Sequence, residues 1–197
     1  MKRIVVGITG ATGVVYGVRM LKALHSIGAE AYLIITNAAI KNLEIETSYL
    51  EKEVMAMAAK TYHIDDVAAP IASGSFPVDG MVVIPCTIKT LSAIANSFNY
   101  NLLIRAADVN LKERRKVVLV VRETPLHEGH LELMMRVTRN GGIIVPPVPA
   151  FYHMPKTVED IVDQTVGKVL DLFGLDGGLF KRWGTQEELK LINSEDR

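Results

Sequence analysis

The sequence has one cysteine, Cys86. A single thiol can form neither an intrachain disulfide nor a multi-cysteine metal site. It suits a reducing compartment. Neither sign of charge is in excess: 22 Lys and Arg stand against 22 Asp and Glu, so the formal net charge is zero. That excludes a polyanion binder acting through bulk positive charge, because nucleic-acid affinity rests on basic residues displacing counterions. No apolar run reaches the roughly 20 residues that span a bilayer. Met1-Lys2-Arg3-Ile4 carries the charges of a signal peptide, but the apolar stretch breaks at Gly7 and Gly10 and no cleavage-like site follows. Aromatic residues are scarce, at 6%. What is plentiful is apolar: 49% hydrophobic against 22% charged residues excludes disorder. We expect a cytoplasmic, enzyme-sized domain over residues 1–184, with a C-terminal tail over 185–197.

Apolar strands alternate with helical patterns. Ile4 to Ile8 is a short apolar run, as in a strand buried on both faces. Val15, Val18, Leu21, Leu24 and Ile27 fall at helical spacing, and Gly28 closes that helix. Further strands are expected at 31–35, 81–84 (stopped by Pro85), 117–121 and 143–145. Further helices are expected at 37–43, 50–59, 87–95, 101–114, 127–138 and 158–173. The alternation implies an α/β sandwich with a mostly parallel sheet. Ligands in such sheets sit beyond the C-terminal strand ends, near a switch point.

Four strand-end loops therefore matter most. The first, Gly7 to Gly13, joins strand to helix. Its glycines let backbone approach a phosphate, and a helix N-terminus offers N–H donors and a positive dipole. It is not the G-x-G-x-x-G pattern, and an ordinary glycine turn also accounts for it. The second loop bears on the nucleotide. A dinucleotide site usually closes its second strand with Asp or Glu, which holds the ribose. Thr36 stands here, followed by Asn37. A hydroxyl suits a phosphate or ring oxygen, which disfavours a nicotinamide oxidoreductase and favours FMN. Helix capping alone also explains Thr36.

In the third loop, Pro85 to Thr90, Thr87 and Thr90 can cap a helix and offer hydroxyls to a flavin edge or phosphate. Cys86 reads as a small buried residue, with no adjacent His–Asx pairing to activate it. In the fourth loop, Arg122 can clamp a phosphate and Glu123 can exchange protons with a reacting ring. A surface ion pair is the alternative. Lys112-Glu113-Arg114-Arg115 reads as a solvated helix end or as a phosphate-binding group with one member turned inward. His127 and His130, with Glu128 and Glu132, match no H-E-x-x-H pattern, so no metal is expected. Phe151-Tyr152-His153 and Trp183 are either core packing or a wall for a planar ring or a developing carbocation.

Several stretches then act together: Thr9-Gly10-Ala11-Thr12-Gly13, Ser73-Gly74-Ser75, Pro85 to Ser92, Arg105 to Val109, Leu111 to Arg115, Arg122-Glu123-Thr124-Pro125 and Pro149 to His153. Their conjunction resembles the flavin prenyltransferase family of the UbiX type, formerly called 3-octaprenyl-4-hydroxybenzoate or phenylacrylic acid decarboxylase. The likeness runs from residue 3 to about Gly184 and extends to enterobacterial members associated with hydroxyarylic acid decarboxylation. It implies a three-layer, Rossmann-like (flavodoxin-like) sandwich, FMN binding, and a homododecamer with sites at subunit interfaces. It implies metal-free transfer of a dimethylallyl group from dimethylallyl monophosphate to N5 and C6 of reduced FMN. The prenylated FMN would then pass to a partner UbiD-type decarboxylase.

By position, the resemblance assigns Gly10, Ala11, Thr12, Thr36, Thr87, Ile88, Lys89, Thr90 and Arg122 to FMN. It assigns Lys112, Arg122, Tyr152 and Lys168 to the dimethylallyl phosphate. Glu123 becomes the acid/base group with Thr12 beside it, and Glu46 and Trp183 complete the pocket from neighbouring subunits. The residue types suit that chemistry. Cations meet the oxygens of a departing phosphate, and aromatic faces stabilise an allylic cation. Glu123, or the phosphate itself, removes the proton at ring closure. Thr12, Thr36 and Thr87 stand where serine is usual, and Lys168 where arginine is common, a point charge in place of a fork. The related cysteine decarboxylases carry Pro-Ala-Ser-Ala-Asn-Thr where this chain has Pro85 to Thr90, which discounts that activity. Two competitors are direct decarboxylation of an aromatic acid by an FMN protein, and a non-catalytic flavin carrier. Plain FMN offers an aryl carboxylate no obvious electron sink, which weakens the former.

Overall fold

The computed structural model describes residues 1–184. The expected tail, 185–197, lies outside the described residues. Two compact units form: Met1–Pro147, and a second beginning at Val148.

The first unit holds six strands: β1 (Arg3–Ile8), β2 (Glu30–Ile35), β3 (Lys60–Tyr62), β4 (Gly80–Cys86), β5 (Lys116–Val121) and β6 (Ile143–Ile144). Its helices are α1 (Val14–Ser26), α2 (Asn37–Glu46), α3 (Glu51–Ala56), α4 (Ile88–Ala95), α5 (Leu102–Lys112) and α6 (Glu128–Arg139). The sheet order is β3-β2-β1-β4-β5-β6, and every pairing is parallel. The chain reverses direction of travel between β1 and β4, which makes their C-terminal ends the switch point.

Alternation along the strands explains the layers. Val5 of β1, Met81 and Val83 of β4, and Val117, Leu119 and Val121 of β5 share one core with Leu91 and Ile94 of α4 and Leu103 and Ala107 of α5. Ile8 points the other way. A Cβ on Gly17 of α1 would lie 2.8 Å from the Ile8 side chain and 2.6 Å from the Ile84 carbonyl oxygen. Only glycine lets α1 lie that close to β1 and β4. Burial on both faces is why the strands read as continuous apolar runs.

Three expectations need correction. The helix expected at 50–59 stops at Ala56, because Lys60–Tyr62 pairs with Tyr32–Ile34 as an edge strand. Three residues are too few to carry a periodic signal. Without β3 the order would be the flavodoxin one; with it the order is the six-stranded Rossmann one. Pro85 does not end β4. It sits where the β4–β5 register shifts between Val83 and Cys86, a bulge position that tolerates proline. The helix expected at 101–114 ends at Lys112, where the chain turns through Arg114 at φ 58°.

The second unit contains α7 (Val158–Leu172). Thr157 caps it: its hydroxyl accepts from Asp160 N at 3.1 Å, and Asp160 accepts from Thr157 N at 3.0 Å. Among the described residues no helix is long and apolar enough to cross a membrane.

Candidate functional site

The strand-end loops meet at the switch point. Thr9 follows β1 and is buried, with 1% of its surface exposed. Its Oγ1 donates to the Pro85 carbonyl at 2.8 Å and accepts from Thr87 N at 2.9 Å. The first and third loops are thereby fastened together. Gly10 next to it is close-packed: a Cβ there would fall 2.4 Å from the Ala38 Cβ on α2. Gly13 caps α1 at φ 94°, a conformation that favours glycine.

The amides of α1 are not open as expected. Gly13 N and Val14 N donate to Glu46 Oε2 at 2.7 and 3.2 Å. A carboxylate at a helix N-terminus is stabilised by those donors and by the dipole. Glu46 is the last residue of α2, and it reaches α1 of its own chain. The loop beyond it is fastened as well, since Lys22 of α1 donates to the Tyr49 hydroxyl and lies 4.5 Å from its ring centre.

Threonine caps recur at the other helices. Thr36 Oγ1 accepts from Ala39 N at 3.2 Å, at the start of α2. Thr87 Oγ1 accepts from Thr90 N at 3.1 Å and donates to Thr90 Oγ1 at 3.0 Å, at the start of α4. A hydroxyl that only accepts a cap bond keeps its proton to donate elsewhere. Lys89 is exposed, with Nζ 5.5 Å from the Tyr100 ring centre. Cys86 is fully buried, and burial pushes its thiol far above the ordinary range. It cannot present a thiolate nucleophile.

Arg122 N donates to the Cys86 carbonyl at 3.1 Å, joining the third and fourth loops. The Arg122 and Glu123 side chains are exposed beyond β5. Among the described residues the two form no ion pair with each other. Glu123 Oε1 accepts from Thr124 N at 3.1 Å.

Residues 1–170 match the Flavoprotein family. The flavin prenyltransferase UbiX of Thauera aromatica is 56% identical over 192 residues, covering 98% of this chain and 99% of that protein. The chain belongs to the flavoprotein family, among the UbiX-type flavin prenyltransferases. Solved structures agree. AnUbiX (PadA1), in complex with FMN and dimethylallyl pyrophosphate, superposes with a TM-score of 0.92 at 50% identity, covering 93% of this chain and 98% of that one. The dodecameric FMN-dependent UbiX-like decarboxylase from Escherichia coli O157:H7 gives 0.91 at 47%, covering 93% and 100%.

Against the residues that the family likeness assigns, the structure gathers some and separates others. Gly10, Ala11, Thr12, Thr36, Thr87, Ile88, Lys89, Thr90 and Arg122 all lie on loops at the C-terminal strand ends or in the helix turns that follow them. Lys112 does not. It ends α5, immediately before β5, at the opposite edge of the sheet from Glu123. Six residues of strand separate the two edges, about 20 Å. Lys112 is paired with Glu113, whose carboxyl that bond holds below its usual range. Ser73-Gly74-Ser75 belongs to this edge too: a Cβ on Gly74 would lie 2.2 Å from Glu113 Oε1 and 2.8 Å from Lys112 Nζ, and Arg115 donates to the Gly74 carbonyl at 2.7 Å. In the second unit, Tyr152 and Trp183 meet edge to face at 5.6 Å, and Lys168 is exposed on α7. Both rings are exposed, at 39% and 68%, which core packing does not explain. Thr9 was missed as a member of the site. A threonine closing a strand before a glycine was its only signal.

Proposed function

We propose that this chain is a flavin prenyltransferase. It joins a dimethylallyl group from dimethylallyl monophosphate to N5 and C6 of reduced FMN. The observation that carries the reading is the near full-length likeness to UbiX-type enzymes, one of them solved with FMN and a dimethylallyl donor. The residues present suit a flavin. Gly10 gives close backbone approach beside α2. Thr36, Thr87 and Thr90 place hydroxyls at two helix N-termini, where a phosphate is favoured. Lys89 and Arg122 add cations at the same strand ends.

When bound, reduced FMN supplies the nucleophilic ring atoms. The chain's residues do the rest. Lys112, Arg122 and Lys168 neutralise the donor phosphate as the allylic bond breaks, and the Tyr152 hydroxyl holds one of its oxygens. The Trp183 ring faces the allylic cation. Glu123 takes the proton released at ring closure, with Thr12 as its hydroxyl neighbour and Glu46 completing the pocket. The separation of Lys112 from Glu123 supports a site assembled from more than one copy, and a dodecamer is the assembly we assign. Residues 1–184 serve as one flavin-binding domain, working in the cytoplasm. The product passes to a UbiD-type decarboxylase.

The test is the mass of the flavin after anaerobic incubation with reduced FMN and each dimethylallyl phosphate. A gain of one dimethylallyl unit, faster with the monophosphate, is the expected result. Unchanged FMN, with carbon dioxide released from an aromatic acid by the protein and FMN alone, would establish direct decarboxylation. Unchanged FMN with no such release would leave a flavin carrier.

A further inference from the structure

The parallel ladder between β1 and β4 runs only from Ile4–Gly80 to Gly7–Val83. Beyond it, β4 meets Pro85, which has no N–H to give. The β4–β5 register shifts at the same place. The two strand ends that frame the switch point are therefore not held together by regular pairing. Thr9 replaces it, with its side chain and its own N–H. Thr9 is buried, and a buried hydroxyl must find partners. It donates to the Pro85 carbonyl at 2.8 Å and accepts from Thr87 N at 2.9 Å. Its own N–H also donates to the Pro85 carbonyl, at 3.2 Å.

The connections continue on both sides. The Thr87 hydroxyl donates to Thr90 Oγ1 at 3.0 Å and accepts from Thr90 N, so the first turn of α4 hangs from Thr9. The Thr9 carbonyl accepts from Ala11 N at 2.9 Å, which shapes the Gly10-Ala11-Thr12 turn. The hydroxyl thus adds two of the three bonds by which Thr9 joins the two loops assigned to flavin, and it alone holds Thr87 N.

We propose that Thr9 is a positioning residue: without touching flavin, it holds the first and third loops as one cradle. The inference rests on the flavin reading above. Serine can make the same two bonds. Valine fills nearly the same volume and makes neither, leaving Thr87 N without its partner.

The experiment titrates FMN into the full-length wild type, Thr9→Val and Thr9→Ser, and follows amide hydrogen exchange at Thr87 and Thr90 in each. We expect the FMN Kd to rise about tenfold in Thr9→Val and to stay within about twofold of wild type in Thr9→Ser. Exchange at Thr87 and Thr90 should quicken in Thr9→Val with or without flavin. A Thr9→Val protein that melts lower but keeps the wild-type Kd would make Thr9 an ordinary core residue and overturn the proposal. Unchanged exchange at Thr87 and Thr90 would overturn it too. A wild type that binds no FMN would sink the flavin reading and the cradle with it, while the exchange data would still report whether Thr9 couples the two loops.

Discussion

A carboxylate can carry a proton to and from a bound ring only where ligand can reach it, and Glu123 is exposed just past the end of β5. Glu123→Gln keeps the shape and removes the proposed base. Product formation should fall at least about 100-fold, with the FMN Kd within about twofold, as read by flavin mass and by titration. Cys86 behaves oppositely. Burial raises its thiol above the ordinary range, which favours the protonated form. Native protein at about pH 8.5 should resist alkylation, and denatured protein should take up one label by mass spectrometry. Rapid labelling of the folded chain would show that the third loop opens. Glu123 was legible in the sequence as chemistry, and Cys86 as a small buried residue. The exposure of Glu123 was not, because it is set by the strand end at which the residue stands.

At the scale of elements, helix starts do most of the positioning. α1 has a glycine cap and borrows its anion from Glu46, 33 residues on. Glu46→Ala should lower the unfolding free energy by about 0.5–2 kcal/mol in urea titrations. An unchanged midpoint would mean that the bond adds nothing in solution. α7 carries its own anion. Asp160 accepts from Lys156 N and Thr157 N, and those bonds hold its carboxyl below the usual range. A depressed folded value means that its stabilisation is present above the unfolded carboxyl range, about pH 4, and is lost as the pH falls through the lower folded value. Asp160→Asn should flatten the acid limb of stability there and leave the neutral limb parallel to wild type. Local caps such as Thr36, Thr87 and Thr157 could be read from sequence, because the partner lies within three residues. The Glu46 cap could not, because folding alone brings α2 under α1.

At the scale of the whole molecule, the decisive fact is the length of β5. It holds Lys112 and Glu123 about 20 Å apart in one copy. A site that uses both must draw them from different copies. Lys112→Ala and Glu123→Gln should each be inactive as pure assemblies. Co-refolded together, they should regain a fraction of wild-type prenylation, because some sites then combine an intact Lys112 with an intact Glu123. No recovery in demonstrably mixed assemblies would place the two residues in separate roles.

The sequence by itself determined the alternation of strands and helices, the parallel sheet, the strand-end loops and the residue types that populate them. These are local properties: periodicity, caps and turn residues act over a few positions. It also carried the family, through motifs spread along nearly the whole chain. Tertiary structure decided what distance along the chain cannot encode. It recruited the three-residue β3 as an edge, since pairing with β2 and not periodicity makes it a strand. It carried β4 through Pro85, turned Glu46 onto α1, and parted Lys112 from Glu123. It also made Thr9 the link between two loops 76 residues apart, because a buried hydroxyl takes whatever partners the fold brings to it.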